Sequence, residues 1–98
     1  MCKDGFRVSI QANEGAYCTP RQSGAKKYIQ VEVGFPTMEE ELLSEYAEDS
    51  SRPTDTVYAY VPVEVVNLVI AKHGGIVSGA VPPGVVHLPA IESKLPAD

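Results

Sequence analysis

The stretch from residue 55 to residue 75, DTVYAYVPVEVVNLVIAKHGG, combines the clearest strand signal in the chain with the clearest helix signal. Its first part alternates small apolar residues with tyrosines, and a period of two is typical of a half-buried strand. In such a strand Val57, Ala59 and Val61 face one side of the sheet, whereas Tyr58 and Tyr60 face the other. The alternation therefore predicts a strand that presents two tyrosines on the face opposite its valines.

A helix is predicted immediately after this strand. Pro62 suits the first turn of a helix, where its missing N–H costs nothing, and Gly74 suits the left-handed position that ends one. Lys72 and His73 would fall in the last turn, where the helix dipole favours cations. The many β-branched residues between these ends would also fit a strand. The two end signals favour the helix.

Three further elements lie upstream of this stretch. Residues 6–11 and 28–33 alternate apolar and polar side chains, which predicts two strands. Thr37 and Glu40 have the spacing of a capping box at the start of a helix, in which each side chain accepts from the other residue's backbone N–H. We expect this helix to end near Ala47, because the next residues are typical of a loop.

Short strands at residues 76–81 and 85–88, the second of them optional, complete the predicted order β-β-α-β-α-β(-β). This order indicates an α+β fold with two layers, in which two short helices lie on one face of a mixed or antiparallel sheet. We expect a single domain over residues 1–98. It includes a long loop at residues 12–27 and a loosely held C-terminal tail at residues 89–98.

The net charge of −5 is distributed unevenly along the chain. Residues 1–27 hold five cations against two anions, a balance of +3, and residues 39–55 hold one cation against seven anions, a balance of −6. Glu41, Glu45 and Glu48 would share one face of the first predicted helix. That face either keeps the protein in solution or meets a basic surface on a partner. We expect no nucleic-acid partner, because phosphate binding needs a basic footprint.

Hydropathy and the first residues of the chain indicate its compartment. No apolar run approaches the roughly 18–20 residues that span a bilayer, so we expect no membrane association. The sequence MCKDG lacks the basic and then apolar order of a secretory signal. The expected location is the cytoplasm.

Cys2 and Cys18 are the only cysteines. Two free thiols, a disulfide, or a zinc site shared with His73 and His87 would each fit the residue types. A reducing compartment favours free thiols, and the four residues lack the close pairs of structural zinc sites. Cys18 and a histidine would supply a nucleophile and a base, but the sequence offers no third group to orient them. We therefore predict no catalytic residue, no metal and no cofactor.

The two tyrosines of the predicted strand are candidates for a binding surface. Tyrosine is enriched at protein interfaces because it offers rigid contact area and a hydroxyl. If both helices cover the valine face, Tyr58 and Tyr60 project into solvent; the alternative is that they pack beneath the long loop. We predict that Tyr58 and Tyr60, together with Glu41, Glu45 and Glu48, bind a protein partner.

Four segments carry a family resemblance: MCKDGF at residues 1–6, AYCTPR at 16–21, VEVGFP at 31–36 and VYAYVP at 57–62. Through them, over most of its length, the chain resembles small accessory proteins of tailed bacteriophages. The resemblance implies a compact protein that binds and inhibits a host factor, including defence complexes in an anti-CRISPR-like role, in the host cytoplasm. It assigns a function to no particular residue.

Three classes of function fit these observations. The first is a non-enzymatic protein-binding module, which could act as an inhibitor of a host or defence protein. The second is a structural or assembly component of a virion or another complex, which leaves a homo-oligomer open. The third is a small Cys/His metal-binding protein or enzyme. The missing catalytic constellation, the uneven charge and the tyrosines favour the first.

Overall fold

The structure is a computed structural model that describes residues 1–90. Three strands, β1 (Ser9–Gln11), β2 (Gln30–Gly34) and β3 (Val57–Pro62), form an antiparallel sheet in the order β1-β2-β3. A 3₁₀ helix (Glu41–Tyr46) precedes β3, and an α-helix, α1 (Val63–Lys72), follows it. The predicted α+β class is confirmed.

The helix predicted from its end signals is confirmed as α1. Pro62 is its N-cap, and His73 is its C-cap. Gly74 has a φ of 89°, the left-handed conformation that glycine adopts readily, and its N–H donates to the carbonyl of Ala71 at 3.1 Å. The Pro and Gly signals thus locate both ends of the helix despite its β-branched interior.

A β-bulge interrupts the pairing of β2 with β3. Val31 pairs with Val61, but Val33 pairs with Tyr58, so that one residue of β2 faces two residues of β3. One of these two residues, Tyr60, has a φ of 51°, a value that bulky residues rarely adopt. The extra residue shifts the side-chain alternation along β3.

The bulge separates the two tyrosines that strict alternation places on one face. Tyr58 is 1% exposed, and its hydroxyl donates to the carbonyl of Pro53 at 2.5 Å. Tyr60 is 41% exposed. The prediction that Tyr58 projects into solvent is therefore wrong, because the bulge turns its side chain into the core. Of the two tyrosines, Tyr60 alone is exposed.

The first predicted helix is shorter and tighter than the sequence indicates. Its N-cap is Glu40, whose side chain accepts from the backbone N–H of Leu42 at 3.0 Å. The hydroxyl of Thr37 instead accepts from the N–H of Arg7 at 3.0 Å. The predicted capping box at Thr37 is wrong, because Thr37 binds the N-terminal segment and the helix starts four residues later.

Glu41, Glu45 and Glu48 are exposed, but they do not share a helix face. A 3₁₀ helix has three residues per turn, so the first two lie about 120° apart around its axis. Glu48 follows the end of the helix, and its N–H donates to the carbonyl of Val57 at 2.9 Å. The predicted acidic face is wrong in its geometry. The binding of these glutamates to a basic surface stays a prediction.

The strands predicted at residues 76–81 and 85–88 do not form. Ile76 makes two isolated bridges, to Cys2 and to Pro89, and both segments are otherwise irregular. Gly79, with a φ of 103°, interrupts the first segment. Of the predicted tail at residues 89–98, residues 91–98 lie outside the described part of the chain.

The core lies where the sheet meets both helices. Val33 of β2, Leu43 of the 3₁₀ helix and Val69 of α1 line the same small internal space. Phe6, from the N-terminal segment, is fully buried beside them. The 3₁₀ helix and α1 also contact β3 and each other. This packing holds the N-terminal segment against the end of α1, where a buried polar cluster forms.

Candidate functional site

Four side chains that are distant in sequence meet at the end of α1: Asp4, Glu40, Lys72 and His73, called here the His73 cluster. His73 Nδ1 lies 2.5 Å from Asp4 Oδ2, and His73 Nε2 lies 2.7 Å from Glu40 Oε1. The other carboxylate oxygen of Glu40 accepts from Lys72 Nζ at 2.9 Å. Glu40 and His73 are buried, whereas Asp4 and Lys72 are about half exposed.

Local structure holds each member of the cluster in place. His73 is the C-cap of α1, and its ring stacks on Phe6 with the centroids 4.0 Å apart and an angle of 11° between the planes. Asp4 Oδ1 accepts from the N–H of Phe6 at 2.9 Å, and the N–H of Asp4 donates to the carbonyl of His73 at 3.2 Å. Glu40 is fixed by its capping bond to Leu42. The cluster therefore ties the N-terminal segment, the 3₁₀ helix and α1 together.

The geometry assigns the protonation state of His73. A neutral imidazole has one N–H, yet both ring nitrogens here face a carboxylate oxygen. Two ionised carboxylates are satisfied only if both nitrogens carry protons, so this arrangement favours the imidazolium form of the ring. Burial favours the neutral ring, but the hydrogen bonds to Asp4 and Glu40 outweigh it, and the pKa of His73 is raised.

The pKa values of the two carboxyl groups shift in the opposite direction to that of His73. The pKa of Asp4 is lowered by the hydrogen bond from the N–H of Phe6 and by the bond from His73. Burial raises the pKa of Glu40, but the hydrogen bonds from Leu42, Lys72 and His73 overcome this, and the net shift is downward. All three groups therefore keep their charged forms over a wider pH range than they would in an unfolded chain.

The cluster is built as a cross-link, because its polar atoms already have partners. The protonated ring of His73 has no lone pair with which to accept a proton, so it does not act as a general base in this state. Among residues 1–90, no three His, Cys, Asp or Glu side chains are grouped as a metal ion would require. The chemistry that the arrangement supports is the stabilisation of the fold by buried charges.

We expect the stability of the protein to pass through a maximum between about pH 4.5 and pH 6.5. The raised pKa of His73 adds stability below its unfolded value of 6.5, and this contribution is lost as pH rises through the folded value. The lowered pKa values of Asp4 and Glu40 add stability above 3.8 and 4.5, and this is lost as pH falls through their folded values. Urea denaturation at a series of pH values measures the profile.

A His73→Gln variant provides the control for this profile, because glutamine does not titrate. The variant should lose the decline above pH 6.5 while keeping the acid-side decline. A wild-type stability that keeps rising from pH 6 to pH 8 would contradict the assignment of His73 as an imidazolium.

The thiols and the second histidine lie apart from this cluster. Cys2 and Cys18 are free and buried, and burial raises the pKa of the Cys2 thiol. Cys18 Sγ donates to the carbonyls of Asn13 and Pro20, at 3.2 Å and 3.3 Å. His87 is exposed. The partners of Cys18 in the structure are thus backbone carbonyls, and not the histidine base that the sequence analysis considers for it.

A second candidate site lies where the loop before β2 meets β3: Tyr17, Arg21, Glu32 and Tyr60, called here the tyrosine surface. The rings of Tyr17 and Tyr60 are 5.9 Å apart, and the guanidinium carbon of Arg21 lies 5.4 Å from the centroid of Tyr17. The N–H of Tyr60 donates to the carbonyl of Tyr17 at 3.1 Å, and Glu32 Oε1 accepts from the N–H of Tyr17 at 3.1 Å. Both tyrosine residues are more than one third exposed.

Sequence analysis identifies only part of these two sites. It identifies Tyr60 in the tyrosine surface and misses Tyr17 and Arg21. The one feature of the sequence that points to these two residues is the length of their loop, which exceeds that of a simple connection. In the His73 cluster it recognises His73 as a cation at a helix end but misses its contact with Asp4. That contact spans 69 residues of sequence, and no local pattern predicts it.

Comparison of the chain with models of known protein families, with curated proteins and with solved structures finds no significant match. Within residues 1–90, no helix has the length and apolar character needed to cross a membrane.

Proposed function

We propose that the protein is a non-enzymatic protein-binding module and that the tyrosine surface is its contact surface. The observation that carries this proposal is Tyr60, a large aromatic residue that is held in a left-handed backbone conformation and is 41% exposed. A β-bulge is a recurrent device for re-aiming a side chain. Here the bulge directs Tyr60 away from the core, whereas the ring of Tyr58 is part of the core.

The backbone conformation of Tyr60 has a cost that its packing does not explain. A non-glycine residue with a positive φ is destabilised by about 1–2 kcal/mol, and such strain is concentrated at functional positions. Glycine would remove the strain, but it would also remove the ring. A tyrosine at this position is therefore better explained by contact with a partner than by the stability of the fold.

The tyrosine surface has the residue types of a binding hot spot. Tyrosine and arginine are enriched among residues that dominate binding energy, because they combine rigid area with hydrogen-bonding groups. The hydrogen bond between Tyr60 and Tyr17 fixes the two backbones, so less entropy is lost on binding. Following the resemblance to bacteriophage proteins, the proposed partner is a host protein, such as a component of a defence complex, that the module inhibits.

Tyr60→Gly and Tyr17→Ala are the variants that test this proposal. Both should lose partner binding while unfolding within about 1 kcal/mol of the wild type. For Tyr60→Gly, relief of the strained backbone offsets the lost contact with Tyr17 and the greater freedom of glycine in the unfolded chain. Affinity capture from a bacterial lysate with quantitative mass spectrometry measures binding, and urea denaturation measures stability.

Leu68→Ala is the matched control, because Leu68 is an exposed apolar residue of α1 outside the tyrosine surface. The proposal requires proteins that the wild type and Leu68→Ala capture and that Tyr17→Ala and Tyr60→Gly do not. If the captured set is the same for all four proteins, the tyrosine surface is not the contact surface.

A further inference from the structure

We infer that the tyrosine surface receives an acidic segment of the partner protein, in which an Asp or Glu carboxylate binds Arg21 and a neighbouring apolar side chain packs on Tyr17 and Tyr60. This inference rests on the proposed function and adds the chemistry of the partner to it.

Arg21 carries the first part of the argument. Its guanidinium carbon lies 5.4 Å from the centroid of the Tyr17 ring, within the range of a cation–π contact, and the residue is exposed. Within residues 1–90, Arg21 forms no ion pair. The planar N–H edge of arginine matches the two oxygens of a carboxylate. The side chain thus contacts Tyr17 and has no charged partner within the described part of the chain.

The loop that carries Arg21 is basic as a whole. Lys26 and Lys27 are exposed on it, and they also form no ion pair within the described part of the chain. The buried hydroxyl of Tyr28 closes this part of the loop by donating to the carbonyl of Gln22 at 2.6 Å and accepting from the N–H of Ala25 at 3.3 Å. Lys26 and Lys27 therefore lie within this closed segment, and Arg21 directly precedes it, so that the charges of this part of the loop favour an anionic partner.

The acid within the tyrosine surface offsets only part of this charge. Glu32 is partly buried, and one of its oxygens accepts from the backbone N–H of Tyr17. Glu14 is the one acid among residues 12–27, against three cations. The loop keeps a net positive charge, in contrast to the strongly acidic stretch at residues 39–55. Charge complementarity therefore favours an acidic occupant for this surface.

An acidic protein segment suits this surface better than a nucleic acid does. The chain has a net charge of −5, and seven acids within residues 39–55 would repel a polyanion that ran beyond the loop. A short acidic segment needs only the local cations. The exposed rings of Tyr17 and Tyr60 add apolar contact area, which an aliphatic or aromatic side chain next to the carboxylate would cover.

Selection from a random peptide display library on the immobilised protein tests the inference. Enriched peptides should carry Asp or Glu next to an apolar residue. Synthetic peptides of the enriched sequences should bind Arg21→Gln at least about tenfold more weakly than the wild type. Arg52→Gln is the matched control, because Arg52 is an exposed cation already paired with Asp55, and its binding should not change. A single-stranded oligothymidylate is titrated in parallel and should not bind.

The outcomes separate this inference from the proposed function. Enriched peptides that lose binding in Tyr60→Gly but lack acidic residues, or that bind Arg21→Gln as well as the wild type, overturn the acidic occupant and leave the contact surface standing. Oligothymidylate binding that Arg21→Gln abolishes also overturns it, in favour of a nucleic acid. A selection without any peptide that depends on Tyr17 or Tyr60 overturns the proposed function and the inference with it.

Discussion

Glu40→Gln is expected to lower the free energy of unfolding by about 3–5 kcal/mol at pH 6, as the removal of one partner from a buried charge network does. Glu40 is 2% exposed and, among residues 1–90, is the one carboxylate that binds both Lys72 and His73. Glutamine has the same shape, so the variant leaves no cavity. It lacks the negative charge, and its amide group would point a donor at either the ammonium of Lys72 or the N–H of His73.

Glu41→Gln is the matched control for this substitution. Glu41 is the next residue along the chain and is exposed, and its carboxylate lies 4.0 Å from Lys72 Nζ. An exposed ion pair of this kind contributes little, so the variant should unfold within about 0.5 kcal/mol of the wild type. Urea denaturation followed by circular dichroism measures both variants. Equal small losses would show that the His73 cluster does not hold the three segments together.

α1 shows why part of the fold could be predicted from the sequence. Its interior is rich in β-branched residues and fits a strand as well as a helix, but Pro62 and Gly74 act within one turn of its ends. Their effects depend on the missing N–H of proline and on the freedom of glycine to take a positive φ. These properties belong to single residues, so a sequence reveals them without knowledge of the tertiary structure.

β3 shows the limit of the same reasoning. Its alternation is regular in sequence, and a rule of period two places Tyr58 and Tyr60 on one face. The bulge arises from the pairing of β3 with β2, which a local pattern does not contain. In the 3₁₀ helix, likewise, Glu40 is held by Lys72 and His73 from α1. These long-range bonds favour Glu40 as the N-cap over the capping box that Thr37 indicates.

The same limit applies to the candidate sites. Tyr60 could be selected from composition and alternation, because tyrosine in an amphipathic strand is a general signal for an interface. Tyr17 and Arg21 acquire their roles when the loop folds back onto β3, through the bond from the N–H of Tyr60 to the carbonyl of Tyr17. The prediction for Glu41, Glu45 and Glu48 depends on the repeat of an α-helix, which the chain does not adopt there. Their exposure is consistent with solvation.

Gly84 lies where two parts of the chain approach each other closely. Its φ of 106° is a conformation that side chains rarely adopt. A Cβ at this position would lie 2.9 Å from the backbone nitrogen of Tyr28 and closer still to the carbonyl oxygen of that residue. The backbone of Tyr28 is held in turn, because its N–H donates to the carbonyl of Pro83 at 2.8 Å and its ring is buried. A side chain at Gly84 would therefore meet backbone that is held in place.

Gly84→Ala should therefore lower the free energy of unfolding by about 3–5 kcal/mol, the sum of a backbone clash in a packed region and a strained φ. Gly5→Ala separates the two contributions, since Gly5 has a similar φ of 92° but no atom lies within 4 Å of its added Cβ. Gly5→Ala should cost only the conformational part, about 1–2 kcal/mol. Urea denaturation of both variants at pH 6 measures the difference. Equal losses would mean that the contact with Tyr28 does not constrain the chain at Gly84, and that strain in φ accounts for the whole effect.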